Sequence, residues 1–305
     1  MISTKTIRRL VSGIALVLVL LLALGFAGKT LAIGNALALL RPQLGVLLLT
    51  LSPVLFALNA RAIGAASILL AIIASATTWP GFLTTTRACP GDCLTLYQKN
   101  LLSNGTARAE LVRDVLASGA EIVTLQEASD HNRREMPGLF AHYPFGVICN
   151  IRPRQDVGVL TSLPVIEGSE FCQPDAALAG IQVIVPDGRP VWILSIHLDW
   201  PYPRDQLGQS RRAAALIDGL DGLKLIGGDF NMVPWGGSVA RIEAGAQLRP
   251  LGPFMNTHQV GNWLLPLPID LVLVPQGSVG SIERRPQLGS DHFGLLARIG
   301  LPKAN

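Results

Sequence analysis

Six places in this 305-residue sequence set a residue able to hold a metal ion or a phosphate beside an apolar run. Asn100 closes the run 94–99, Glu127 follows 122–126, and His197 follows 191–196. Asp229 and Asn231 follow Leu225-Ile226-Gly227-Gly228. Asp270 instead precedes 271–274, and Asp291-His292 precedes 293–299. Short apolar runs of this kind read as buried strands. An antiparallel neighbour starts at the edge where its partner ends, so all six places can converge on one rim of a mixed sheet. Singly, each has a plain explanation: a glutamate at a strand end is a solvated cap, and Gly-Gly-Asp-Phe-Asn is a turn. Together they form a chemical set. Oxygen donors suit a hard divalent cation, a carboxylate can activate water, and a histidine beside a carboxylate can balance developing negative charge.

The elements that must position these residues follow from the same pattern. Besides 94–100 and 122–126, strands are expected at 146–149, 158–161, 181–185, 191–197, 223–227, 271–274 and 294–299, and helices at 107–117 and 206–220. Pro186-Asp187-Gly188-Arg189 reads as the turn of a β-hairpin. Hairpins mixed with strand–helix alternation point to an α/β or α+β layered domain with mixed sheets.

The front of the chain is of another kind. No Asp or Glu precedes Asp92, and residues 1–87 hold seven basic residues. The remaining part carries 18 basic and 21 acidic residues, a balance of −3, so the basic pI of 9.1 belongs to the front. The remainder has no bulk positive field with which to gather nucleic acid, so a nucleic-acid substrate is left open but not favoured by charge. Three helices long and apolar enough to cross a membrane are expected at about 10–28, 43–60 and 62–86, with 31–40 as an interfacial or re-entrant piece. Lys5, Arg8 and Arg9 belong in the cytoplasm by the positive-inside rule. Three spans then place the C-terminal domain outside, as in a multi-pass protein of the inner (cytoplasmic) membrane with a periplasmic domain. Arg61 supports this orientation, whereas Lys29, Arg41 and Arg87 count against it. Residues 1–28 also fit a cleaved signal peptide, which leaves the location unchanged. All four cysteines follow the apolar segment. An oxidising compartment permits two disulfides, Cys89–Cys93 and Cys149–Cys172 being preferred among the three connectivities. The alternative, a zinc site, is disfavoured by the spacing of Cys149 and Cys172. Residues 88–93 read as a linker, and 94–302 as the domain that carries the chemistry.

Gln126-Glu127, Ser195-Ile196-His197-Leu198, Gly228-Asp229-Phe230-Asn231, Ile269-Asp270 and Gly289-Ser290-Asp291-His292, in this order, resemble the endonuclease/exonuclease/phosphatase superfamily. The resemblance covers essentially everything after residue 94, and the layout is similar to that of bacterial membrane-anchored members. It implies a four-layer α/β (α+β) sandwich of two mixed β-sheets flanked by helices, preceded by the transmembrane helical segment. It also implies a phosphoester hydrolase that uses Mg²⁺ or Mn²⁺. Glu127, Asn100 and Asp291 match residues at the metal. Asp229 matches the residue that activates water, Asn231 one that hydrogen-bonds the phosphate or nucleophile, and His197 one that contacts a phosphate oxygen. His292 matches the histidine that stabilises the transferring phosphoryl group, with Asp270 as its partner. Leu102 stands where some nucleolytic members have an acidic residue, which puts a second metal in doubt. The alternative is a non-catalytic membrane-tethered binding module on the same fold. No obligate protein partner is evident. Trp200, Tyr202 and Arg204 either line the entrance or pack as ordinary loop residues. Trp263 and the residues up to Pro268 touch lipid, form a pocket wall or pack in the core. His131, His142 and His258 match nothing and are expected at the surface.

Overall fold

The computed structural model describes residues 3–303 except 90, 92, 153–154 and 261–264, so part of the expected linker and Trp263 lie outside the described residues. The N-terminal segment comprises α1 (Thr4–Gly25), α2 (Ala32–Ala38), α3 (Arg41–Ala57), α4 (Arg61–Thr78) and the single turn α5 (Pro80–Leu83). Two helices, Thr4–Gly25 and Arg61–Leu83, are long and apolar enough to cross a membrane. The span expected at 43–60 corresponds to α3 and the short piece expected at 31–40 to α2, and the two form an apolar pair bent by 70°. Arg41-Pro42 supplies the break, with Pro near the start of α3, where no helical N–H is lost.

The rest is built from two six-stranded mixed sheets. The first has the order β13 (Val279–Arg285), β14 (Gly294–Gly300), β1 (Leu94–Asn100), β2 (Ile122–Gln126), β4 (Val157–Thr161) and β3 (Phe145–Cys149). The second has the order β5 (Phe171–Gln173), β6 (Leu178–Ile184), β7 (Pro190–His197), β8 (Leu223–Asp229), β12 (Asp270–Pro275) and β9 (Leu248–Pro250). A small hairpin, β10 (His258–Val260) with β11 (Leu265–Leu267), stands apart.

Period-two alternation sorts the side chains into three apolar layers. Leu94, Leu96 and Ile122 meet Val191, Ile193, Leu225 and Val272 between the sheets. Tyr97, Val123 and Leu125 pack outward under α6 (Arg108–Ala117) and α8 (Pro137–His142), next to which lies α7 (Asp130–Glu135). Leu194, Ile196 and Ile226 pack outward under α9 (Gln206–Asp218) and α10 (Gly237–Ala246). The result is a helix–sheet–sheet–helix sandwich, as expected. Gly227 permits its central closeness, because a Cβ there would lie 2.2 Å from Thr124 Oγ1 of the opposite sheet. Both preferred disulfides are present, Cys89–Cys93 and Cys149–Cys172.

Candidate active site

The layer between the sheets changes character along each central strand. On β1 the inward series runs Leu94, Leu96, Gln98, Asn100, and on β2 it runs Ile122, Thr124, Gln126. On β7 it ends in Ser195 and His197, and on β8 in Gly227 and Asp229. Parallel pairing sets His197 beside Asp229, and the antiparallel pairing of β12 with β8 sets Asp270 opposite Asp229. One end of the sandwich is therefore a polar face floored by buried amides. Gln98 Nε2 donates to Gln126 Oε1 (2.7 Å) and to Asp270 Oδ1 (2.8 Å), and Gln126 Nε2 donates to Ser195 Oγ (3.0 Å). These bonds satisfy polar groups that would otherwise be costly to bury.

A cleft of about 470 Å³ opens on this floor. Glu127, His197, Asp229, Asn231, Asp291 and His292 all line it. Asn100 and Asp270 lie behind them: Asn100 Nδ2 donates to Asp229 Oδ2 (2.9 Å), and Asp270 Oδ2 is 2.7 Å from His292 Nδ1. Asn100 thus reaches the site through Asp229, while its own Oδ1 accepts from Leu102 N. Two of the lining residues have left-handed backbones, Glu127 at φ 54° and Asn231 at φ 44°. Asparagine tolerates this conformation; glutamate holds it at a cost of about 1–3 kcal/mol, which the surroundings must offset. Ser103 N donates to Glu127 Oε2 (2.7 Å), and Asn132 Nδ2 donates to the Glu127 carbonyl (2.7 Å).

The electrostatics divide the groups. Burial raises the Asp229 carboxyl above its usual range, and neighbouring Asp270 adds to this. Burial likewise raises Glu127, with Asp291 adding to it. His292 is held up at about 9: burial opposes its charge, but Asp270 and Asp229 outweigh burial. His197 is pushed down to about 4 by burial and by the charge on His292. Its Nε2 faces Asp229 Oδ2 at 3.5 Å, and its buried Nδ1 has no partner among the described residues. These shifts favour the charged form of His292 and the neutral form of His197.

The donor chemistry fits a hard divalent cation. Among the described residues no Lys or Arg forms an ion pair with Glu127, Asp229 or Asp291. Oxygen donors with unspent negative charge in a polar cleft are what such a cation takes. Ligand atoms of His258, Asp291 and His292 also lie within 4.8 Å of one another, as do those of Asp229, Asp270 and His292. Glu127 and Asp291 are the freer donors, since Asp270 is already occupied by His292 and Gln98.

Some residues of the site were not anticipated. His258 is not a surface residue: it lines the cleft half-buried, with its ring 4.4 Å from that of His292. No local sequence signal marks it, because the small β10–β11 hairpin brings it in. His131 and His142 are exposed. Trp200 and Arg204 line the cleft, whereas Tyr202 does not. Asp199, also in the lining, gathers Arg152 (3.1 Å) and Arg204 (3.8 Å). Lys99 is buried on the other face of β1 and donates to the carbonyls of Gln287 (2.7 Å) and His292 (2.6 Å), which fixes the loop that presents His292. Strand alternation would have placed Lys99 away from the cleft, and nothing local would have named its partners.

Comparison with known proteins agrees with the fold. A humanized D. rerio TDP2 superposes with a TM-score of 0.57 at 17% identity, over 68% of this chain and 99% of that one. An endonuclease/exonuclease/phosphatase from Beutenbergia cavernae gives 0.56 at 14% identity, over 70% of this chain and 72% of that one. One from Bacteroides vulgatus gives 0.56 at 13%, over 69% and 99%. At these identities the likeness is one of fold. No curated protein matches the sequence. The family model of the Endonuclease/Exonuclease/phosphatase family matches residues 97–292, well over half of the chain. The chain belongs to this family, whose members are metal-dependent phosphoester hydrolases.

Proposed function

We propose that the chain is a membrane-anchored phosphoester hydrolase that depends on Mg²⁺ or Mn²⁺. The observation that carries this reading is the meeting of Asp229, Asn231, His197 and His292 in one cleft with Glu127 and Asp291. Glu127 and Asp291 would hold the cation. When bound, it supplies positive charge against the phosphoryl oxygens. Asp229, raised by burial and flanked by Asn100 and the Asn231 backbone N–H, takes the proton of the attacking water. His292, kept protonated by Asp270, faces the negative charge that grows on phosphorus. His197, neutral and buried, offers a hydrogen bond rather than a charge. Water attacks phosphorus as the P–O bond to the leaving group breaks, with no covalent enzyme intermediate.

The apolar helices and two disulfides support an inner-membrane protein with this domain on the periplasmic side. The test is the full chain in detergent against nucleic acids, phospholipids and sugar or inositol phosphates, with and without chelator. Chelator-sensitive hydrolysis lost in D229A is expected. Equal activity in D229A and wild type, or none on any substrate, refutes the reading. A reporter fused after Asn305 that works only in the cytoplasm refutes the topology.

A further inference from the structure

The helix α2 carries one polar side chain that is buried although it lies between apolar helices. Asn35 is 1% exposed and reaches out of the N-terminal segment into the sandwich. Its Nδ2 donates to Gln206 Oε1 (2.6 Å) and to Ser238 Oγ (2.8 Å), and its Oδ1 accepts from Ser238 N (3.2 Å). The two backbones are built to meet here: a Cβ at Gly237 would lie 2.1 Å from the carbonyl carbon of Gly28. Trp235 Nε1 adds a bond to the Ala38 carbonyl (2.8 Å), and Arg241 donates to that of Lys29.

Gln206 is the first residue of α9 and is fully buried. Its Nε2 stands within hydrogen-bond distance of three carbonyls, those of Asp199 (2.6 Å), Phe230 (3.1 Å) and Asn231 (3.0 Å). These belong to the two loops that leave β7 and β8, which carry His197 and Asp229 at their starts. One side-chain amide therefore clamps both catalytic loops, and which way it points is decided by what its oxygen accepts. The donors to that oxygen are Asn35 and, at 3.2 Å, Ser238. A flipped amide would turn its oxygen against three carbonyl oxygens.

We infer that Asn35 is a positioning residue for the active site, acting through Gln206, so that the N-terminal helical segment is part of the catalytic framework and not a detachable tether. This rests on the hydrolase reading only for its effect on rate. A small misplacement of reacting groups is costly, so a loosened clamp lowers turnover more than binding.

The test uses the full chain in detergent micelles with N35L, which removes both donors, and L16A on the exposed face of α1 as control. Hydrogen–deuterium exchange reads the amides of Leu198, Asp199, Phe230 and Asn231 in the two loops, which donate to the Asp229 carbonyl, Gln209 Oε1, the Ile269 carbonyl and Asp229 Oδ1 respectively. Exchange there is expected to rise by about tenfold in N35L and to stay unchanged in L16A. On a hydrolysed substrate, kcat is expected to fall by about tenfold with KM unchanged. Wild-type exchange at these amides in N35L overturns the inference, as does an unchanged kcat. Should N35L fail to fold, the smaller N35A decides by the same exchange measurement. A wild type without hydrolysis defeats the hydrolase reading, while exchange still decides the positioning role.

Discussion

His292 Nδ1 stands 2.7 Å from Asp270 Oδ2, while its Nε2 points to Asp229 Oδ2 at 3.8 Å. The ring is thus held by a carboxylate behind it and presents its second nitrogen to the cleft. Asp270 is itself fixed, accepting from Gln98 Nε2 and donating its N–H to Thr257 Oγ1. D270N keeps the shape but removes the charge that keeps His292 protonated. The expected result is a fall in kcat of about 10²–10³-fold with little change in KM, read from steady-state hydrolysis at saturating Mg²⁺. A D270N enzyme within twofold of wild type would remove His292⁺ from the mechanism.

Asp229 pays for its position in stability. Its carboxyl is raised above the ordinary 3.8 by burial, so the charged form is disfavoured in the folded protein. A folded pKa above the unfolded one means that its stabilising proton is lost as pH rises. D229N is neutral and nearly isosteric, and can still accept from Asn231 N. In chelator at pH 8 it is expected to be more stable than wild type by about 1–3 kcal/mol, with no gain near pH 3. Denaturant melts of the two proteins at both pH values measure this, and an equal or lower stability of D229N at pH 8 refutes it. Activity is expected to be lost in the same variant.

The sequence made the strands and most of the site legible because both obey a period of two. Leu96, Gln98 and Asn100 share a face, as do Ile193, Ser195 and His197, and each series passes from apolar to polar toward the cleft. The same alternation could have named Gln98, Gln126 and Ser195 as the polar floor. What stayed hidden depends on contacts distant in sequence. His258 enters the cleft on a three-residue strand too short to carry a pattern. Helix α10 lacks a strong cap, and the edge strands β5 and β9 span three residues each. The break between α2 and α3 is legible at Arg41-Pro42, but hydropathy does not register the hydrogen bonds of Asn35 to Gln206 and Ser238.

Glu243 on α10 is a second carboxyl held in the wrong environment. Burial raises it from 4.5 to about 7, with Lys29 opposing weakly, and its Oε1 has no partner among the described residues. The folded protein binds this proton more tightly than the unfolded chain. The stabilisation is complete below about pH 4.5 and is lost as pH rises through 7. E243Q should therefore melt higher than wild type at pH 8.5, by the equivalent of about 1–3 kcal/mol. It should show no such gain at pH 4. The same gain at both pH values would trace the effect to packing and not to charge.

The two disulfides close loops of very different length, 23 residues of separation for Cys149–Cys172 against 4 for Cys89–Cys93. The longer one joins β3 of the first sheet to β5 of the second, at an edge where the two layers share few large side chains. Cross-linking restricts the unfolded chain more as the loop grows, so removing Cys149–Cys172 is expected to cost about 3 kcal/mol. Removing Cys89–Cys93 should cost about 1.5 kcal/mol less. The chain after Cys149 also carries Arg152 and Gln155 to Asp199 at the cleft. C149A/C172A should therefore raise KM as well as lower the melting temperature, whereas C89A/C93A should leave KM unchanged. Denaturant melts and steady-state kinetics on the two double variants check both halves. Equal losses of stability would show that the unfolded chain is not what these bonds restrict.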